Sequence, residues 1–245
     1  MTDASPPYTI QGRPVSLPCE VRDAASGAAT YLVDAAAARR WLPDPSLDVT
    51  ELLPGRALLS IACIDYREND LGDYAEISLA LFVRERRAPR GLPYLGTLVD
   101  LARSRIATYI HRLPVTQSFT CEAGRAIWGF PKTVDEIRWD FGETRARCAW
   151  RKDGHQVLTM TLPRGGTRTL PDTTMQTYTM RDGALHVTPF VSGATGFGVR
   201  LGGASLALGD HPIADELRAL RLPKRPLMTT WMEHMHGRFE APRKL

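Results

Sequence analysis

No stretch of this sequence approaches the roughly 18 uninterrupted apolar residues that a membrane-spanning helix needs. Its opening, Met1-Thr2-Asp3-Ala4-Ser5-Pro6-Pro7, lacks the basic flank and apolar core of a secretory leader. The expectation is therefore a soluble, cytoplasmic protein with no membrane partner. Cysteine is scarce: Cys19, Cys63, Cys121 and Cys148 stand far apart and form no C-x-x-C pair, which favours reduced structural thiols over a metal or redox centre. Charge is nearly balanced, with 31 Lys and Arg against 27 Asp and Glu and a net +4. The one dense basic run, Arg84 to Arg90, has no interleaved aromatics on which bases could stack, so it suits a solvated connection and no nucleic-acid partner is expected. The glycines from Gly193 to Gly203 precede no Gly-Lys-Ser/Thr, and no serine sits in a nucleophile elbow, so phosphate-loop and serine-hydrolase chemistry find no support.

What the sequence does contain is the composition of a globular chain: 245 residues, 43% apolar and 24% charged, which excludes wholesale disorder and a coiled coil. Twenty glycines and 18 prolines lean toward many turns and short strands. Strand patterns are expected over residues 28–33, 57–66, 73–84, 106–115, 137–141, 145–150, 156–162, 176–180, 184–189, 199–208 and 227–239. Lys152-Asp153-Gly154 and Asp182-Gly183 mark hairpins, because glycine tolerates positive φ. Helices are expected over 35–42 with Asp34 as N-cap, over 91–105, over 117–128 before Gly129 and Pro131, and over 213–220. Strands do not alternate with helices, which disfavours a doubly wound parallel sheet. The expected architecture is one domain, 1–245, mainly β (α+β): a closed or half-closed antiparallel barrel with a few peripheral helices.

The sharpest local feature is Glu122-Ala123-Gly124-Arg125-Ala126-Ile127-Trp128-Gly129-Phe130-Pro131-Lys132. Gly129 and Pro131 present Lys132 from a turn-like support, with Trp128 and Phe130 as apolar bulk. At an ordinary pKa near 10.4, about one lysine amine in 2,500 is neutral at pH 7, and lowering the pKa to about 7 takes roughly 4.6 kcal/mol of selective destabilisation of the cation. A buried barrel interior supplies this by desolvation, freeing the amine to attack a ketone. The same spacing also suits a lysine that snorkels to solvent beside a turn. A second anomaly is Glu76, a carboxylate inside the apolar run from Tyr74 to Val83. It is either a proton shuttle or a structural carboxylate paired to an arginine.

Gly124-Arg125-x-x-x-x-Pro131-Lys132 with Phe130 before the proline resembles the lysine segment of the acetoacetate decarboxylase superfamily, and Gly72-Asp73-Tyr74-Ala75-Glu76 is similar to its Tyr-x-Glu element, in the same order. Arg39-Arg40-Trp41-Leu42-Pro43-Asp44-Pro45 and the helix around Asp215-Glu216-Leu217 extend the resemblance over most of the chain. The resemblance implies a cone-shaped β-barrel, or double cone, with a buried lysine at its centre, a homo-oligomeric assembly, Lys132 as Schiff-base lysine and Glu76 as the nearby carboxylate. The family's namesake is a standard instance of a lysine activated by desolvation or by a cationic neighbour. This chain has Thr133 where the resemblance places a second lysine, Leu32 where it places an arginine, and Ile61 near the place of a further acid.

The function these residues imply is a lyase acting on a small keto acid through an imine of Lys132, with no metal or organic cofactor. The iminium is an electron sink for decarboxylation of a β-keto acid or for aldolase or dehydratase chemistry on an α-keto acid. Tyr74, Trp128 and Phe130 are candidate substrate-binding residues, as is Arg125, the cation nearest in sequence, which equally suits a buttress of the turn. The alternative is a non-catalytic barrel that binds a small hydrophobic ligand. Glu233-His234-Met235-His236 places two imidazoles at i, i+2, a weak metal pattern with no third ligand.

Overall fold

Long, bent strands rather than short ones at turn spacing form the body of the molecule. The computed structural model describes residues 8–87 and 107–245; the helix expected over 91–105 lies outside them. The hairpin β1 (Tyr8–Ile10) and β2 (Arg13–Val15) leads into the 16-residue β3 (Cys19–Asp34). Asp34 caps α1 (Ala35–Arg39) by accepting from Ala37 N–H at 2.8 Å. The short strands β4 (Leu47–Val49) and β5 (Glu51–Leu53) precede the long β6 (Arg56–Asn69) and β7 (Tyr74–Glu85). After β8 (Ala107–Val115) come α2 (Ser118–Trp128) and β9 (Lys132–Val134). The strands β10 (Glu136–Phe141), β11 (Arg145–Lys152) and β12 (His155–Pro163) follow. The 14- and 18-residue arms β13 (Arg168–Arg181) and β14 (Ala184–Leu201) come next. The chain ends with β15 (Ser205–Leu208), α3 (Pro212–Ala219), β16 (Met228–Phe239) and β17 (Arg243–Lys244).

The pairing order β7-β6-β3-β16-β14-β13-β8 closes on itself through β7–β8, giving a seven-stranded barrel. Closure leaves none of these strands as a full-length free edge, which removes the edge liability of an open sheet. The expected antiparallel pairing holds through most of the barrel; β8 alone runs parallel to its neighbours β13 and β9, while pairing antiparallel with β7. The β8–β9 pairing is parallel because α2 carries the chain back over its own length, as any crossover between parallel strands must. A separate antiparallel sheet, β10-β11-β12-β15, packs against the barrel. The meeting point is Gly27 on β3, where a Cβ would come within 2.7 Å of Leu162 Cδ1 and 2.9 Å of Trp231 Cε3. One apolar core, with Trp150, Leu158, Met160 and Trp231, lies between the two sheets. A second core, built by Ile10, Cys19, Tyr66, Tyr74, Phe119, Ile127 and Phe130, lies under α2 and the first hairpin, and the candidate site is set in it.

Candidate active site

β7 pairs with β6 and β8 at its edges, and its faces meet the two cores, Ile77, Leu79 and Leu81 in the first and Tyr74 in the second, so the run from Tyr74 to Val83 is buried almost throughout. Strand alternation puts Tyr74 and Glu76 on one face. The register sets Tyr66 opposite Tyr74 across the β6–β7 pair, and the two rings stack at 4.5 Å. The Tyr66 hydroxyl donates to Glu76 Oε1 at 3.3 Å. Burial, followed by the Glu76 charge, holds the Tyr66 phenol well above its ordinary pKa, so it stays a donor.

α2 approaches from the other side. Gln117 caps it by accepting from Thr120 N–H at 3.2 Å, and its buried face carries Phe119, Thr120, Ala123, Gly124 and Ile127. The helix ends at Gly129, whose φ of 69° is left-handed and whose N–H returns to Arg125 O at 3.2 Å. Here glycine is required twice over, because a Cβ would also meet Met180 O at 2.8 Å and Arg181 Cβ at 2.7 Å. Pro131 prevents the helix from resuming, and Lys132 enters β9 beside Leu113 of β8.

These two supports bring Lys132 and Glu76 together in the interior, 4% and 5% exposed. Lys132 Nζ is 3.0 Å from Glu76 Oε2, donates to Thr120 Oγ1 at 3.0 Å, and sits 4.9 Å from the centre of the Tyr74 ring. The Glu76 contact is an ion pair by distance without hydrogen-bond alignment, so Oε2 has no well-directed donor. The aliphatic stem of the lysine lies against Gly124, where a Cβ would fall 2.6 Å from Cδ and 2.8 Å from Cε.

The expectation that burial lowers the Lys132 pKa requires correction. Desolvation does pull it down, but the facing Glu76 charge outweighs the loss of water and holds it above the ordinary value. Burial drives the Tyr74 phenol up to about 12 even though Lys132 opposes the rise, so Tyr74 is neutral beside the pair. The Cys19 thiol is likewise pushed up to about 12, mainly by burial, with Lys132 again pulling the other way.

The other sequence-derived candidates fall elsewhere. Trp128 and Phe130 belong to an aromatic stack with Phe239 and Phe190, and Trp128 Nε1 donates to Glu240 O at 2.9 Å. Arg125 is exposed on the last turn of α2 and does not join the buried cluster. Thr133 is exposed, points away from Lys132 by strand alternation, and donates to Asp135 at 3.1 Å. Leu32 is half-buried opposite Leu58, and Ile61 is fully buried. Glu76 pairs with a lysine, not with an arginine. His234 and His236 each pair at 2.9 Å with an aspartate, Asp23 and Asp172 respectively. Among the described residues no group of three or more His, Cys, Asp or Glu is arranged to hold a metal ion.

Thr120, Tyr66 and Cys19 were not singled out from sequence. Thr120 carried a faint signal, standing one helical turn before Gly124 on the same face. Tyr66 carried another: folding the 57–66 and 73–84 strands into one hairpin sets it near Tyr74.

Comparison with known proteins places the chain by its fold and family. The chain matches the family model for acetoacetate decarboxylase (ADC) over residues 5–237. No curated protein matches it at a significant level. Among solved structures it resembles the acetoacetate decarboxylase of Legionella pneumophila, with a TM-score of 0.68 at 14% identity over 100% of this chain and 93% of that one. It also resembles the enduracididine biosynthesis enzyme MppR complexed with pyruvate, with a TM-score of 0.62 at 17% identity over 98% of each chain. A third similar fold is an acetoacetate decarboxylase-like enzyme from Sphingomonas wittichii RW1, with a TM-score of 0.54 at 13% identity and 97% of each chain covered. The barrel and the match along nearly its whole length make this chain a member of the acetoacetate decarboxylase family.

Proposed function

We infer that this protein is a lyase acting on a small keto acid through an imine formed on Lys132. The observation that carries this reading is the buried pair itself, an amine 3.0 Å from a carboxylate with both groups out of water. In such a site the ammonium–carboxylate pair and its neutral tautomer, amine plus carboxylic acid, lie closer in energy than in water, because the neutral form carries no desolvated charge. Transfer of one proton from Nζ to Glu76 therefore produces the nucleophile without any loss of a proton to solvent.

The amine adds to the keto carbon, forming the C–N bond, and an amine proton passes to the carbonyl oxygen. The C–O bond of the carbinolamine then breaks as the Glu76 proton leaves with the hydroxyl as water. The iminium inherits the position of the original ammonium, and Glu76 again faces a cation. The iminium accepts an electron pair from an adjacent breaking bond. Loss of CO2 from a β-keto acid and α-deprotonation or retro-aldol cleavage of an α-keto acid share this sink. The pyruvate complex of a protein with a similar fold supports an α-keto acid as a first trial substrate, and the family name supports acetoacetate.

The test is sodium borohydride reduction with pyruvate and with acetoacetate, followed by peptide mass mapping. A reduced adduct on Lys132, absent from Lys132→Ala, is expected. No adduct with any keto acid in a panel would overturn the reading and leave a ligand-binding barrel in its place.

A further inference from the structure

The amine of Lys132 has a partner to which neither the family motif nor its spacing assigns a role. Thr120 is fully buried, and its Oγ1 accepts from Nζ at 3.0 Å. It lies four residues before Gly124, the residue over which the lysine stem is laid. On an α-helix, positions i and i+4 lie one above the other. One face of α2 therefore supports the stem at Gly124 and holds the head at Thr120.

We propose that Thr120 is a further catalytic residue of this site, whose hydroxyl anchors one N–H of Lys132 so that the lone pair exposed by proton transfer opens beside Glu76. This rests on the imine reading above. Nζ stands 3.0 Å from Glu76 Oε2, donates one N–H to Thr120 Oγ1 at 3.0 Å, and lies 4.9 Å from the centre of the Tyr74 ring. When Glu76 takes its proton, an unanchored neutral amine turns freely about Cε–Nζ and spends little time aligned for attack. With one N–H fixed on Thr120, the lone pair points to the side where the acid stands that must later protonate the leaving oxygen. The hydroxyl is suited to this because it accepts and donates. As the nitrogen goes from three N–H groups to one on becoming an iminium, Thr120 keeps Tyr74 as a hydrogen-bond partner and is not stranded in a dry pocket.

The experiment measures the rate of borohydride-trapped adduct formation with pyruvate, and in parallel with acetoacetate, from pH 5 to 10. It compares the wild type with Thr120→Val, Thr120→Ser and Thr120→Ala. Valine keeps the volume and removes the acceptor, so trapping is expected to slow by roughly tenfold to a hundredfold, the range for a lost hydrogen bond to a charged group. Its alkaline limb should move to lower pH, because the cation has lost a partner and the pair gives up its shared proton more readily. Serine, which keeps the hydroxyl, should restore the rate to within a few-fold and return the profile to that of the wild type. If the valine variant does not fold, alanine carries the same expectation, with circular dichroism confirming its structure.

A folded valine or alanine variant that traps substrate at the wild-type rate and with the wild-type profile overturns the role of Thr120 while leaving Lys132 chemistry intact. A folded serine variant no better than valine also overturns it, because the hydroxyl would then not be the active feature. A wild type that traps no keto acid of the panel overturns the imine reading, and this one with it.

Discussion

A lysine and a glutamate removed from water together depend on each other, and the cost of separating them exceeds the value of the pair. Lys132 and Glu76 are 4% and 6% exposed at their side chains and stand 3.0 Å apart. Lys132→Met should lower unfolding free energy at pH 7 by about 3–5 kcal/mol, because it leaves a buried carboxylate unpaired. Adding Glu76→Leu should recover most of that loss, since two apolar groups of similar volume need neither water nor a partner. Urea denaturation of both variants reads this directly. A double variant no more stable than Lys132→Met would show that the carboxylate is not stranded by loss of the amine. The sign with pH follows from the direction of the shift. The folded-state pKa of Lys132 is raised, so its contribution is complete below the ordinary lysine value of 10.5 and is lost as pH climbs through the higher folded value. Lys132→Met should therefore flatten the alkaline fall in stability that the wild type shows.

At the scale of elements, the site depends on how α2 stops. Gly129→Ala has to hold a left-handed φ and fit a Cβ against Met180 O and Arg181 Cβ of β13. Together these should cost about 2–4 kcal/mol. The trapped adduct on Lys132 should fall with stability, because Gly129 sets the direction in which the chain enters β9. Full stability in this variant would mean that β13 yields to the added methyl. The end of α2 was legible in the sequence because glycine followed by proline is a strong stop. The two hairpins at Asp153-Gly154 and Asp182-Gly183 were legible for a related reason: all four residues have positive φ. Strand lengths were not. β13 and β14 run to 14 and 18 residues, with register shifts near Arg168, Leu170 and Thr173. Such shifts break the period-two pattern by which a strand is followed along a sequence. The first helix was expected to reach Leu42 but ends at Arg39. Beyond it, Arg40, Trp41 and Leu42 donate to carbonyls three residues back, a tighter winding that the alanine-rich pattern cannot distinguish from helix.

Over the whole molecule, the site's missing members have one cause. Lys132 and Glu76 could be found because each is an anomaly within its own segment, whereas Thr120 and Tyr66 acquire meaning only when closure of the barrel brings α2, β6 and β7 to one point. Ion pairs also tie elements together at the periphery, one between neighbours in the chain and two between segments far apart in sequence. Arg39 on α1 reaches Asp48 on β4 at 2.8 Å. Arg112 on β8 makes a forked contact with Glu216 on α3, at 2.9 and 2.5 Å. Arg164, just after β12, holds Glu233 on β16 at 2.6 Å. Hydrogen bonding from Arg164 keeps Glu233 below its ordinary pKa. Asp48 and Glu216 are also held low, because Arg39 and Arg112 overcome the opposing effect of burial. For depressed carboxylates, the stabilisation is present above the unfolded values, about 4, and is lost as pH falls through the folded ones. The melting temperature should therefore change little between pH 6 and 8 and drop below pH about 4. Glu216→Gln should reduce the steepness of that acid drop. Its cost at neutral pH should be no more than about 1 kcal/mol, because the pair is one-third exposed and screened by solvent. Scanning calorimetry from pH 3 to 8 on both proteins decides it: an unaltered acid slope in Glu216→Gln would mean that the clasp between α3 and the barrel carries none of the protein's acid sensitivity.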